Sequence, residues 1–168
     1  MQTPPDDFVK EMLNSKDDAV KLLAAFVPSE KMIPFYLKVM ENNCNGNVIC
    51  FNINAFFLGM IYFVYNKLYL SGFVIFLIGV VIPYLLPEKM IFMTLLVMST
   101  IAGALFPQLY LNRFFRIVRK AGYRELPFDE VLSKVKKEGG KDNAAYVIFA
   151  ATLIIAVTKA YLFKYADY

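Results

Sequence analysis

Two long uncharged runs dominate the pattern of apolar and polar positions along the chain. Residues 68–86 carry no charged side chain, and neither do residues 90–111. The first run is about 28 Å long as a helix, close to the hydrocarbon thickness of a bilayer, which is about 30 Å. The two runs therefore predict two membrane spans. The residues between them, Pro87, Glu88 and Lys89, predict a tight turn.

A third apolar run, residues 48–65, is more interrupted. Asn52 and Asn54 lie near its start and Gly59 near its middle, so only about eleven residues follow Asn54, whereas a span needs about 20. This run predicts a short or re-entrant helix. The two asparagines either cap that helix or line a small cavity or pore in the membrane, and the pattern favours capping.

A basic segment, residues 112–141, follows the second span and carries nine lysines and arginines. Leu111, Phe114, Phe115 and Val118 have the i, i+3, i+4, i+7 spacing of an amphipathic helix, for which Gly122 is a natural end. A second stripe begins at residue 128 and ends before the glycines at 139 and 140. Both helices are predicted to lie in the plane of the bilayer interface. The candidate residues for anionic lipid are Arg113, Arg116, Arg119, Lys120 and Arg124. An equally good explanation is that these cations only fix the orientation of the protein in the membrane and bind no specific lipid.

Residues 144–164 predict a last span. Small residues recur every four positions in it, which lets a neighbouring helix approach closely, and a second small-residue pair lies in the run 90–111. The candidate helix-packing residues are Thr152, Ala156 and Ala160 in the last span, and Ser99 and Gly103 in the earlier one.

Residues 1–47 are polar, with five lysines against seven carboxylates. They predict a small soluble or interfacial region with one helix from Asp6 to near Pro28 and another from Ser29 through Glu41.

The predicted fold is therefore all-α. It is a polytopic helical membrane protein with three full spans, one short or re-entrant hydrophobic helix, amphipathic interfacial helices and a small N-terminal helical region. The positive-inside rule places residues 112–141 in the cytoplasm and Lys89 outside a bacterial inner membrane. Residues 1–47 stay cytoplasmic if residues 48–65 are re-entrant, and this arrangement is favoured over a full crossing.

Composition argues against catalysis. The chain is 58% hydrophobic, with a mean hydropathy of +0.49 and a pI near 9.0. It has no histidine, and the predicted spans have no aspartate or glutamate, so we predict no catalytic, cofactor or metal site. The spacing of Cys44 and Cys50 fits no usual metal or redox motif. Nucleic-acid binding is excluded because Phe114 and Phe115 belong to the apolar stripe rather than to a charged face.

A motif in the third apolar run resembles a known family. The motif residues are Phe51, Asn52, Ala55, Phe56, Phe57 and Gly59, then Tyr65, Lys67 and Tyr69, and later Gly103 and Leu109 to Leu111. This pattern, over about residues 36–120, resembles the YigF-like bacterial membrane proteins, a family of unknown function. Ile53 and Tyr62 replace its usual tryptophans, Met60 its proline and Asn66 its arginine. The resemblance implies an inner-membrane protein and brings no activity with it.

The expected function is that of a non-catalytic accessory, assembly or structural subunit of a membrane complex or homo-oligomer, in contact with anionic lipid headgroups. The alternative is a small channel or transporter-like oligomer that uses the re-entrant motif, residues Phe51, Asn52, Asn54, Phe56, Phe57, Gly59, Tyr65, Lys67 and Tyr69. A weaker third hypothesis is a lipid-headgroup binder or lipid-modifying enzyme.

Overall fold

The computed structural model describes residues 6–44, 50–148 and 150–151, and these residues form helices and no β-strand. The all-α prediction is confirmed. The helices are α1 (Asp6–Asn14), α2 (Lys16–Phe26), a 3-10 turn (Glu30–Met32), α3 (Ile33–Cys44), α4 (Ile53–Leu58), α5 (Met60–Tyr65), α6 (Tyr69–Leu85), α7 (Glu88–Lys120) and α8 (Phe128–Glu138). A further helical segment begins at residue 144.

The N-terminal region contains more helices than predicted. The helix expected from Asp6 to Pro28 is divided at Ser15, and Asp17 and Asp18 lie in the first turn of α2, where the helix dipole favours carboxylates. The second predicted helix begins with the 3-10 turn and continues as α3. Pro34 lies in the first turn of α3, where a missing backbone N–H removes no helical hydrogen bond.

The two uncharged runs form α6 and α7, which pack against each other as a hairpin. α6 has 17 residues, about 25 Å of helix. α7 has 33 residues and is continuous across Leu111, the boundary that the sequence suggested between a span and a basic segment. Among the described residues, the part of α7 from Lys89 to Lys120 is the one helix long and apolar enough to cross a membrane, and α6 is a shorter apolar helix. The predicted span 144–164 lies mostly outside the described residues.

α7 has two halves with different surroundings. In its second half, the side chains of Phe106, Tyr110, Phe114 and Val118 are fully buried. In its first half and along α6, large apolar side chains are exposed, and Phe92 is 74% exposed. We call residues 69–101 the apolar hairpin. We call α1, α2, α3, α8 and residues 102–120 of α7 the headpiece.

The sequence suggested that the third apolar run forms one helix, but the structure divides this run. It forms α4 and α5, of six residues each, with Gly59 between them. Gly59 has φ +48°, a left-handed conformation that glycine adopts readily and that ends the first helix. Each helix is only about 9 Å long. α4 packs on α7, and α5 packs on α6.

The two amphipathic stripes of the basic segment face protein rather than a bilayer. Phe114 contacts Phe26 of α2 with ring centroids 5.2 Å apart, and Phe115 contacts Phe8 of α1 at 6.3 Å. On α8, Val131 and Val135 are fully buried, and this helix packs on α2. The predicted ends are confirmed: α7 ends two residues before Gly122, and α8 ends before Gly139. The stripes are thus part of the headpiece core.

Gly139 provides a test of the contact between α8 and α2. A Cβ at this position would lie 2.7 Å from Cα and 2.8 Å from the carbonyl oxygen of Phe26, both backbone atoms that cannot move aside easily. We expect Gly139→Ala to lower the free energy of unfolding by about 1–3 kcal/mol. Thermal unfolding of the purified protein, followed by circular dichroism, measures the effect. Gly79→Ala is the control, because nothing lies within 4 Å of a Cβ there. Equal melting of the two variants would contradict the packing.

Candidate anion-binding groove

A groove of about 690 Å³ lies between the start of α6, the end of α7 and α8. Five cationic side chains and one carboxylate line it. The cations are Lys67, Arg113, Arg116, Lys120 and Lys134, and the carboxylate is Glu138. Its apolar wall includes Leu68, Leu70 and Ile117. The groove therefore combines a strongly positive lining with an apolar side.

Helical spacing and one turn position these cations. Arg113, Arg116 and Lys120 are separated by three and four residues on α7, so they share one face of that helix. Lys67 lies in the turn between α5 and α6, with φ +59°. Lys134 enters from α8 and forms a salt bridge of 2.9 Å with Glu130, one turn earlier.

Two of the five cations hold the C-terminal end of α8. Nζ of Lys67 donates to the carbonyl oxygen of Gly139 at 2.6 Å, and Nη2 of Arg113 donates to that of Glu138 at 2.6 Å. The last carbonyls of a helix have no partner within it and carry the negative end of its dipole, so cations are favourable here. The guanidinium of Arg113 also lies 5.2 Å from the ring centroid of Phe26. Lys67 and Arg113 are therefore structural as well as exposed to the groove.

Arg116 and Lys120 differ from these two. Both are exposed, and neither has a salt bridge within the part of the chain that the structure describes. Arg119 is also exposed but does not line the groove. Arg124 forms an ion pair with Glu11 of α1, away from the groove. The structure therefore brings together three of the five predicted lipid-binding cations, and it adds Lys67 and Lys134, which were not among those five.

The residues Tyr65, Lys67 and Tyr69 all contact the segment 138–142. The carbonyl of Tyr65 accepts from the N–H of Asp142 at 2.9 Å, and the hydroxyl of Tyr69 donates to the carboxylate of Asp142. This hydroxyl, followed by the N–H of Ala144, lowers the pKa of Asp142 below its ordinary value. The Tyr-x-Lys-x-Tyr part of the motif is thus a clamp for the segment after α8.

The first part of the motif is also structural. The side chain of Asn52 accepts from the N–H of Ala55 at 3.0 Å, so the interpretation of Asn52 as a helix cap is confirmed. Its own N–H donates to the carbonyl of Gly103 at 2.9 Å. Asn54 is exposed, and its side chain does not cap the helix. Phe51, Phe56 and Phe57 form a chain of ring contacts at 5.7 and 4.9 Å.

Gly103 packs against another segment of the same chain. A Cβ there would lie 2.6 Å from the ring of Phe51 and 3.2 Å from the carbonyl of Asn52. This glycine therefore permits the close approach of α7 to the start of α4, and it does not leave a free face for another subunit. Ser99, the other residue of the predicted small-residue pair, is partly buried. The small-residue face at Thr152, Ala156 and Ala160 lies outside the described residues.

Groups suited to catalysis or metal binding are sparse in residues 6–44, 50–148 and 150–151. No set of three or more Cys, Asp or Glu side chains there could hold a metal ion. The hydroxyls of Tyr36 and Tyr110 are buried and have no hydrogen-bond partner among these residues. Burial raises the pKa of Tyr36, with smaller contributions from Tyr110 and Tyr62, so this hydroxyl stays protonated at neutral pH.

Part of the chain matches a known family. Residues 38–116 match a family described as "Protein of unknown function (DUF2628)". The match includes the whole motif, together with Arg113 and Arg116, and it leaves α1, α2, α8, Lys120 and Lys134 outside. It supports the resemblance to a family of unknown function, without identifying that family as the YigF-like one. No curated protein and no solved structure matches the chain significantly.

Arg113 provides a test of how the groove is built. Arg113→Met removes the hydrogen bond to Glu138 and the contact of the cation with Phe26, while it keeps an apolar stem. We expect a loss of about 2 kcal/mol in the free energy of unfolding. We also expect faster tryptic cleavage at Lys137 and Lys141, because the last turn of α8 and the segment after it lose an anchor. Arg119→Met, an exposed position on the same helix, is the control. If both variants are cleaved at the wild-type rate, Arg113 does not anchor α8.

Proposed function

We propose that the protein is a non-catalytic integral membrane protein whose apolar hairpin is inserted in the bilayer and whose headpiece lies at the cytoplasmic surface. The observation that carries this proposal is the exposed apolar surface of the hairpin. Between residues 70 and 111 the only charged side chains are Glu88 and Lys89, at the tip. Fully burying one large apolar side chain is worth about 1.5–3 kcal/mol, so a surface this apolar is strongly favoured in lipid over water.

The dimensions of the hairpin agree with insertion. α6 is about 25 Å long, and the uncharged part of α7 is about 33 Å long, against a hydrocarbon core of about 30 Å. On α7, buried headpiece side chains begin at Ala102, and exposed large apolar side chains continue to Leu105. We place the boundary between lipid and water between residues 102 and 111, where the uncharged run of α7 overlaps the start of the headpiece core.

The position of the N-terminal helices supports a cytoplasmic N-terminus. α1, α2 and α3 pack with the second half of α7, through contacts such as those of Phe8 and Phe26. Residues 6–44 therefore lie at the same end of the hairpin as the basic segment, which the positive-inside rule places in the cytoplasm. This arrangement favours α4 and α5 as a segment that enters and returns, or lies at the interface, rather than as a crossing.

Its role in the membrane, we propose, is that of an accessory or assembly subunit, or of a subunit in a homo-oligomer. The apolar hairpin offers a helical surface that other helices can cover, and the predicted last span, 144–164, adds a small-residue face. The channel alternative has less support. The side-chain amide of Asn52 is engaged in the helix cap, and the ring of Phe51 occupies the space beside Gly103.

Cysteine labelling tests the topology. In a Cys44→Ser/Cys50→Ser background, Lys89→Cys should react with a membrane-impermeant maleimide in intact cells, because the hairpin tip is outside. Lys137→Cys and Lys10→Cys should react only after lysis, because both lie in the headpiece. Reaction of Lys10→Cys in intact cells would show that residues 48–65 cross the membrane. Protection of Lys89→Cys together with reaction of Lys137→Cys would invert the whole arrangement.

Assembly has its own test. Purification in mild detergent, followed by crosslinking and mass spectrometry, should recover either stoichiometric unrelated subunits or a defined homo-oligomer. Ala156→Leu should shift the complex to a smaller species on a native gel, because it fills the small-residue face. Gly103→Leu is unsuitable for this purpose, since it would disturb the fold of the monomer. Recovery of a monomer alone from the wild type would contradict the assembly role.

A further inference from the structure

The groove lies at the base of the apolar hairpin. Tyr69 and Leu70, which begin α6, form one wall, and Lys120, which ends α7, lies at another. If the hairpin is inserted as proposed, the groove is at the depth of the lipid headgroups. The inference in this subsection rests on that placement.

The groove has unused hydrogen-bond donors for anionic oxygen atoms. Arg116 and Lys120 make no salt bridge with the described residues. Lys67 and Arg113 give some of their N–H groups to the carbonyls of α8, but an ammonium has three N–H donors and a guanidinium has five, so others remain. Phosphate oxygens are acceptors that both groups bind well. A positive lining opposed by a single carboxylate therefore favours a ligand with more than one negative charge.

The volume of the groove and its apolar lining limit further which class of ligand fits it. The volume of about 690 Å³ is typical of sites for whole small ligands, which are about 300–1,000 Å³, and exceeds the needs of one phosphate group. Leu68, Leu70 and Ile117 also line the groove, and Leu70 belongs to the apolar hairpin. A lipid headgroup joined to acyl chains matches this combination, whereas a free anion would use only the charged side.

We infer that the groove binds the headgroup of an anionic phospholipid that carries two phosphates, with Arg116 and Lys120 as principal phosphate contacts and Lys67 and Arg113 as anchored ones. The acyl chains of that lipid lie along the apolar hairpin. Basic pockets beside membrane helices on the cytoplasmic side bind headgroups of this class.

Native mass spectrometry of the purified full-length protein tests the inference. The protein is titrated in mild detergent with cardiolipin, which has two phosphates, with phosphatidylglycerol, which has one, and with phosphatidylcholine, which has no net charge. We expect one cardiolipin to bind tightly, and phosphatidylglycerol to bind more weakly even at twice the concentration, where the total charge is equal. Equal binding of the two anionic lipids at matched charge would overturn the assignment of a two-phosphate site.

Paired variants locate the site. Arg116→Gln/Lys120→Gln should weaken cardiolipin binding about 30-fold. Arg119→Gln/Lys137→Gln removes the same charge from exposed positions outside the groove and should change binding less than about threefold. An equal loss in both double variants would mean that net charge, not the groove, attracts the lipid, and would overturn the inference. The single change Lys120→Gln, at an exposed helix end, repeats the test if the first double variant is unstable.

Extraction with alkaline carbonate separates this inference from the proposed function. If wild type and Arg116→Gln/Lys120→Gln both remain in the membrane fraction while cardiolipin binds them equally, the headgroup site is wrong and membrane insertion stands. If the wild type itself is released into the soluble fraction, insertion of the hairpin is wrong. The deacylated headgroup of cardiolipin, in which a glycerol bridges two phosphates, is the last control. The inference also fails if this headgroup competes for the groove as well as the intact lipid does, because the ligand is then a soluble anion.

Discussion

The whole structure depends on one continuous helix whose two halves have different surroundings. The second half of α7 is buried among aromatic side chains of α2, α3 and α5, including Phe26, Tyr36 and Phe63. Among the described residues, the first half packs on α6, and the start of α4 meets α7 at Gly103. Because a helix is stiff along its length, the aromatic packing in the headpiece fixes the direction in which the apolar hairpin projects. Under the proposed membrane insertion, the headpiece therefore sets the orientation of the inserted hairpin through α7.

The sequence correctly predicted the features that depend on single residues and their neighbours along the chain. The helix ends at Gly122 and Gly139 and the cap at Asn52 follow from the properties of single residues and their immediate neighbours. The division at Gly59 was missed although its signal was present, since glycine in the middle of a short apolar run can end a helix. An apolar stripe was the harder case. The spacing of Leu111, Phe114 and Val118 is the same whether the stripe contacts lipid or protein, and only the folded N-terminal helices distinguish the two.

The candidate groove was predictable only in part, for a related reason. Arg113, Arg116 and Lys120 stood out because one helix carries them at regular spacing. Lys134 lies on a different helix, and Lys67 comes from a distant part of the chain and bonds to a carbonyl 72 positions away. No pattern within one segment can indicate such a contact. The Tyr-x-Lys-x-Tyr motif did single out Lys67, but its neighbours gave no indication that the motif clamps the segment after α8.

Within the described residues, two cations of the groove attach α8, Lys134 pairs with Glu130, and Arg116 and Lys120 form no salt bridge. Lys67 and Arg113 are occupied by the carbonyls at the end of α8, and this attachment brings α8 and Lys134 toward α7. Arg116 and Lys120 then remain exposed beside an anchored positive charge. Because the anchored pair already stands in place, a multiply charged ligand need not order those two side chains on binding, which lowers the entropic cost of association. The hydrogen bonds that attach the end of α8 thus also fix the positions of two of the five cations in the groove.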